Sequence, residues 1–220
     1  MNKRYAIFDM DGTILDSMPV WRGLGKSYLL SHNIIPPSDL RKIIAPLTLS
    51  ETAGYFQTLG VAGTVEEIVE SLNSYMRVQY ETTIGPREGI EDYIKALQSL
   101  GVRCCVATAT NAHLAELCLA RLNLLHYFEF IVSCETIGIG KTEPDVYFHA
   151  ARLLGAQPGE IAVLEDAPYA AETAKQAGFY VIGIYDPCSE RHQERLKATI
   201  DEYITDYTVA ARAVKAVVEP

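Results

Sequence analysis

Nowhere do apolar residues run uninterrupted for the roughly 20 positions that a membrane-spanning helix needs, so no membrane partner is expected. The N-terminus, Met1-Asn2-Lys3-Arg4 followed at once by Tyr5-Ala6-Ile7-Phe8, has no signal-like apolar segment. Positive charge is also scarce. Nineteen Lys and Arg stand against 28 Asp and Glu, a net charge of −9, and no basic run offers footing to a nucleic-acid backbone. Cysteines are five, an odd number, and none forms a CxxC pair. Cys104 and Cys105 lie in an apolar run, so Cys104, Cys105, Cys118, Cys134 and Cys188 read as reduced core residues of a cytoplasmic protein rather than disulfides or zinc ligands. Internal repeats and low-complexity segments are missing too. A small-molecule enzyme or binding protein remains.

What is present begins with Phe8-Asp9-Met10-Asp11-Gly12-Thr13-Ile14-Leu15-Asp16-Ser17. The apolar run before it is too short for a globular helix and predicts a buried strand. Asp9 and Asp11 follow where that strand ends. In extended chain, positions i and i+2 point to one side, so both carboxylates can converge. Two like charges that close are costly unless a cation or a shared proton relieves them. An Asp/Gly turn would explain the composition, but a turn does not need paired acids on its strand side.

The chain is 49% apolar over 220 residues, enough for one good-sized core and a smaller appendage. After Ser17 the periodicity is helical for about 65 residues. Helices are expected at Val20–Leu30, Leu40–Ile44 (stopped at Pro46), Ser50–Leu59 and, behind the capping box Thr64-Val65-Glu66-Glu67, on to about Tyr80. From Gly85-Pro86 the pattern alternates. Strands are expected at Val102–Ala107, Phe130–Ser133, Ile161–Leu164 and Tyr180–Ile184, each after a helix: Ile90–Leu100, Ala112–Leu122, Val146–Leu154 and Ala170–Ala177. The tail from Ser189 reads as a helix, a strand piece at Tyr203-Ile204 and a closing amphipathic helix. This order predicts an α/β fold with a parallel sheet covered on both faces. Its ligands would bind beyond the carboxyl ends of the strands.

The residues at those ends form a pattern. One strand leads into Asp9 and Asp11, another into Thr108-Ala109-Thr110-Asn111 at a helix start, a third into Glu165-Asp166, and Lys141 stands between in Gly138-Ile139-Gly140-Lys141-Thr142. That last segment ends like a phosphate-binding P-loop, but the pattern needs glycine at 135, where the chain has Glu135, and Pro144 follows closely. Separately, a helix N-cap, a capping acid and a solvated lysine would account for these residues. Together they suit a divalent cation and a phosphate: Mg²⁺ takes one or two carboxylates with phosphate oxygens, and a carboxylate can itself attack phosphorus.

These segments resemble a known family. DMDGTILDS, the strand end at Thr108, Lys141 within GKTEPDVYFHAARLLG, and LEDAPYAAETAKQAG are similar to the four ordered motifs of the haloacid dehalogenase superfamily, from Tyr5 to about Tyr185. The set is similar to the branch with β-phosphoglucomutase and the sugar-phosphate or phosphoglycolate phosphatases. The resemblance implies a Rossmann-like core of residues 1–16 and 84–220, with a small helical cap of residues 17–83 inserted after the first strand. It implies that Asp9 attacks phosphorus and that Asp11 protonates the leaving oxygen and then activates water. Mg²⁺ would be held by the Asp9 carboxylate, the Asp11 carbonyl and Asp166, with Glu165 nearby. Thr108, the backbone N–H groups after it and Lys141 would hold the phosphoryl oxygens. A free Asp has a pKa of about 3.9, so Asp11 can act as an acid near neutrality only if its site raises that value. In the family the acidic motif continues with Ser and then Gly, where this chain has Ala167 and Ala170.

The cap separates the branches. Mutase relatives use a cap histidine and a cap arginine; the matching stretches here are Met18-Pro19-Val20-Trp21-Arg22 and Ala45-Pro46-Leu47-Thr48-Leu49-Ser50, and His32 lies too far along. Phosphonate-cleaving relatives use a cap lysine to form a Schiff base; Lys26, the nearby candidate here, reads as a solvated helix residue. Dehalogenases lack the acid that Asp11 supplies. A Mg²⁺-dependent phosphatase for a small phosphorylated metabolite is therefore expected, acting as a monomer, with a phosphosugar mutase or a silent phosphometabolite-binding protein as alternatives. Met18, Trp21, Leu47 and Tyr55 are either pocket lining or the core of the cap.

Overall fold

The computed structural model describes residues 3–44, 47 and 49–218. The run Tyr5–Phe8 forms strand β1, and it lies inside a six-stranded sheet because nearly every side chain on it is apolar and buried. The other strands are β2 (Arg103–Thr108), β3 (Ile131–Ser133), β4 (Ile161–Glu165), β5 (Tyr180–Ile184) and β6 (Glu202–Ile204), in the order β3-β2-β1-β4-β5-β6. All neighbours are parallel. Phe8, the last residue of β1, pairs with Val106 on one side and Leu164 on the other, so β4 runs one residue and β2 two residues beyond it.

Alternate strand residues face one side. Ile7, Cys105, Ala107, Val163 and Val181 pack with Val146, Tyr147 and Ala150 of the helix Asp145–Leu154. Ala6, Phe8, Cys104, Val106, Ala162, Leu164 and Ile182, on the opposite side, are equally buried. Cys118 and Cys134 are buried as well, whereas Cys188 is half-buried rather than a core residue.

In chain order the helices are α1 (Met18–Ser31), α2 (Leu40–Ile44), α3 (Leu49–Thr58), α4 (Val65–Thr82), α5 (Ile90–Ser99), α6 (Ala112–Arg121), α7 (Cys134–Ile137), α8 (Asp145–Leu154), α9 (Pro168–Gln176), α10 (Gln193–Lys197) and α11 (Tyr207–Val218). The differences from expectation have local causes. Helix α9 starts two residues early because Pro168 takes its first position, where a proline loses nothing. Helix α7, which the sequence pattern did not predict, is four residues closed by Gly138 in a left-handed conformation. The tail begins with a 3₁₀ turn at Pro187–His192 before α10. The short strand there joins the sheet as its edge, β6 against β5. No helix among the described residues is long and apolar enough to cross a membrane.

The chain forms two compact units, Met1–Ser17 with Gly85–Pro220, and Met18–Ile84. The described elements of the second are all helical. Thr64 and Glu67 cap α4 reciprocally: the Thr64 N–H donates to Glu67 Oε2 at 2.8 Å and the Glu67 N–H to Thr64 Oγ1 at 3.2 Å. Tyr28 and Phe56 stack there, and a Cβ on Gly25 would come within 2.6 Å of Ile44 Cδ1, so a bare glycine lets α1 approach α2. Met18, Trp21, Leu47 and Tyr55 are only half-buried. Ala45, Pro46 and Thr48 lie outside the described residues.

Gly89 is a tight point in the first unit, and the atom it faces is backbone. Its φ is +77°, and a Cβ on it would sit 2.6 Å from the backbone nitrogen of Thr208, where α5 and α11 pack with Tyr93 against Tyr207. Left-handed strain and a backbone collision add, so Gly89→Ala is expected to destabilise by about 2–4 kcal/mol. The check is urea unfolding, with a lowered midpoint at an unchanged m-value.

Candidate active site

Asp9 follows β1 directly, and its N–H donates to the Leu164 carbonyl at 3.0 Å, which seats it beside the end of β4. There β4 delivers Glu165 and Asp166. Asp9, Glu165 and Asp166 are all buried, and each can bring a carboxylate oxygen within 4.8 Å of the others. Lys141 enters the same space. It is 4% exposed, not the solvated lysine that its type alone suggests. Its Nζ donates to Asp9 Oδ1 and, at 2.6 Å, to Glu165 Oε1. The Tyr147 hydroxyl donates to the same Glu165 oxygen at 2.8 Å.

Asp11 lies two residues on, half-buried, with Oδ2 accepting from Thr110 Oγ1 at 2.6 Å. β1 ends at Phe8, one residue before Asp9. Asp9 accepts from Lys141 and Asp11 from Thr110. Thr108 is fully buried and its Oγ1 accepts from the Thr110 N–H at 3.0 Å. Asn111 caps α6, accepting from the N–H groups of His113 and Leu114. Of the N–H groups expected to face a phosphate, those of Thr110, His113 and Leu114 are thus already engaged by side chains.

The charges are unequal: one ammonium faces three buried carboxylates. Burial pushes the Asp9 carboxyl up to about 7, Glu165 adds to the rise, and Lys141 opposes it. Asp166 is pushed well above the usual carboxylate range by burial, then by Asp9, Glu165 and Asp186. Burial works against the Lys141 charge, yet Asp9 and Glu165 outweigh it and hold the ammonium well above the ordinary lysine value.

This donor set fits a hard divalent cation. Asp9 Oδ2 is buried and accepts no hydrogen bond from the described residues. Gly12, at φ +88°, leaves room beside Asp166: a Cβ there would lie 2.5 Å from Asp166 Oδ2. Gly12 is thus demanded twice, by its backbone conformation and by the neighbouring carboxylate.

Sequence reading did not single out Tyr147, although it lies inside the Lys141 motif; a buried tyrosine hydroxyl usually has a partner. It likewise missed Arg87 and Asp186. Arg87 Nη1 donates to Asp186 Oδ2 at 2.9 Å and to the Gly12 carbonyl at 3.0 Å. These contacts span 99 and 75 residues, and no local pattern announces them.

The raised Asp9 pKa has a consequence for stability. Between pH about 4 and 7 the folded protein keeps a proton that the unfolded chain releases, so Asp9's contribution is greatest at low pH and is lost as pH rises to 7. Asp9→Asn cannot ionise, and Lys141 retains Glu165. The variant is expected to gain roughly 1–4 kcal/mol over the wild type as pH climbs through that window, then to hold the gain. Thermal unfolding in EDTA at a series of pH values checks this; equal pH profiles would refute it.

Comparison with known proteins bears on the same strand ends. A family model, haloacid dehalogenase-like hydrolase, matches residues 3–178. The chain is 28% identical over 194 residues to the fructose-1-phosphate phosphatase YqaB of Escherichia coli, covering 84% of this chain and 98% of that protein. It is 25% identical over 188 residues to the β-phosphoglucomutase of Bacillus subtilis, covering 81% and 82%. Among solved structures, a candidate β-phosphoglucomutase of Thermotoga maritima superposes with a TM-score of 0.81 at 21% identity, covering 97% of this chain and 99% of that one. With the family model spanning most of its length and its acids gathered at the sheet ends, this chain belongs to the haloacid dehalogenase-like hydrolases.

Proposed function

We propose that the protein is a Mg²⁺-dependent phosphatase that hydrolyses a small phosphorylated sugar or similar metabolite through an aspartyl-phosphate on Asp9. The observation that carries this reading is the Asp9 carboxylate. One of its oxygens accepts from Lys141, the other is buried without a hydrogen-bond partner among the described residues, and Asp11, two residues on, accepts from Thr110.

In this scheme a carboxylate oxygen of Asp9 attacks phosphorus as the bond to the sugar oxygen breaks, and Asp11 gives that oxygen its proton. Asp11, now ionised, takes a proton from water as the water attacks the acyl phosphate, which releases phosphate and restores Asp9. Lys141 and Thr108 hold the phosphoryl oxygens. Glu165, itself anchored by Tyr147, keeps Lys141 in place while Asp9 carries phosphorus. Asp9, Asp166 and the Asp11 carbonyl would hold Mg²⁺, with Glu165 beside them. Bound there, the ion supplies charge neutralisation for the transferring phosphoryl group. Without a cation, three acids against one lysine would repel a phosphate, which is the electrostatic argument for the metal.

The sugar-phosphate chemistry of the two relatives supports the substrate class, and one of them favours a second reading, a phosphosugar mutase. A binding protein without turnover is disfavoured, because binding alone gains nothing from a nucleophile next to a general acid.

The test is phosphate release from a panel of sugar and polyol phosphates. Release is expected to require Mg²⁺, to cease in EDTA and in Asp9→Asn, and to fall about 10²–10⁴-fold in kcat for Asp11→Asn. No release from any compound would overturn the phosphatase. Turnover that must be primed by a sugar bisphosphate would establish the mutase instead.

A further inference from the structure

Arg87 lies just inside the second crossing between the two units, yet its contacts reach the turn that carries Asp11. Its own N–H donates to the Ile14 carbonyl at 2.8 Å, and the Asp16 N–H donates to the Gly85 carbonyl at 3.0 Å. With Leu15 bridged antiparallel to Pro86, this zips residues 85–87 onto the end of the turn. The side chain then goes further. Nη1 donates to the Gly12 carbonyl and to Asp186 Oδ2, and Nη2 donates to the Tyr185 carbonyl at 2.5 Å. The Asp186 side chain is completely buried, and its other oxygen accepts from the Cys188 N–H at 2.6 Å.

Three acceptors in different directions suit a planar, rigid fork of donors and do not suit an ammonium on a flexible stem. The acceptor that matters is the Gly12 carbonyl. Gly12 is the wall against which the Asp166 carboxylate rests, close enough that a methyl group would collide with it. Its N–H is already spent on the Leu15 carbonyl at 3.0 Å. Arg87 is therefore the side chain that fixes the other polar atom of that wall, and β5 fixes Arg87 through Asp186 and Tyr185.

We propose that Arg87, with Asp186 as its buried counter-charge, is a positioning residue that holds Gly12 against Asp166 and so keeps the acidic cradle and the Asp11 turn in register. Neither residue touches the reacting atoms. The kinetic part of the proposal rests on the phosphatase reading; the cation part does not. A pair kept only for stability would be an inefficient choice, since a buried ion pair can often be replaced by apolar residues at no loss.

Two variants test it: Arg87→Lys, which keeps the charge and loses the fork, and Arg87→Met with Asp186→Leu, which leaves no buried charge unpaired. Two readouts are taken. One is the Mg²⁺ concentration that gives half of the metal-induced rise in Tm, measured without substrate; the other is kcat and KM for the best sugar phosphate. Both variants are expected to raise the half-point and lower kcat by about 10–100-fold, with KM within about 3-fold. Wild-type values for both readouts in either folded variant would overturn the proposal, as would failure of both variants to fold, which would make the pair a stability element. A wild type that is inactive yet stabilised by Mg²⁺, with variants that lose the stabilisation, would refute the phosphatase and leave the positioning role standing. No response of the wild type to Mg²⁺ and no activity would refute both.

Discussion

One buried ammonium stands among three buried carboxylates, and much of this structure follows from that imbalance. Unit charges about 4 Å apart interact by roughly 4 kcal/mol at an effective dielectric constant of 20, so Lys141 can compensate part of the cluster but not all of it. Its two bonds go to Asp9 and Glu165, and none to Asp166. What remains uncompensated is shifted instead: Asp9 and Asp166 both hold protons more tightly than an ordinary carboxyl group. Such an arrangement is poor for folding and useful for chemistry, the usual trade at a site selected for reactivity.

The sheet brings these groups together by its strand order. From β1 the chain proceeds outward to β2 and β3, then returns to the other side of β1 to lay down β4, β5 and β6. The order reverses between β1 and β4, and in open parallel sheets a ligand crevice forms at the carboxyl end of that switch point. Asp9 lies on one side of the switch, Glu165 and Asp166 on the other. The level register of Phe8 with Leu164 makes them neighbours. No feature of the loops is needed to explain why these acids meet; parallel pairing and strand length suffice.

This explains what could be read before the structure. Strands, the helices between them and the helical block up to about Thr83 carry their signal in local periodicity, and the described elements emerged within a residue or two. Asp9, Lys141 and the Glu165-Asp166 pair could be singled out because each follows a strand or a motif. Their mutual geometry was less legible. The strand stops at Phe8, so the partners of Asp9 and Asp11 could not be read from strand alternation, and the burial of Lys141 depends on Tyr147 and Glu165 rather than on its neighbours in sequence. Arg87 and Asp186 left no trace at all, since an arginine after a proline and an aspartate after a strand are ordinary residues until the fold sets them 2.9 Å apart.

The two alanines after the acidic pair fit the same logic. Ala167 occupies the N-cap of α9 and offers no side-chain acceptor, yet Pro168 behind it has no N–H to satisfy, so the helix starts with one donor fewer than usual. A lost cap costs about 1 kcal/mol, a modest sum beside the electrostatic terms a few ångströms away. Ala170 is completely buried, and its methyl adds to the apolar packing where a glycine would leave space. Neither change takes an oxygen from the cluster formed by Asp9, Glu165 and Asp166. The helix behind the acids can thus vary in how it is capped and packed, whereas the acids themselves, Lys141, and the bare Cα of Gly12 that makes room for them cannot vary without altering the charge balance.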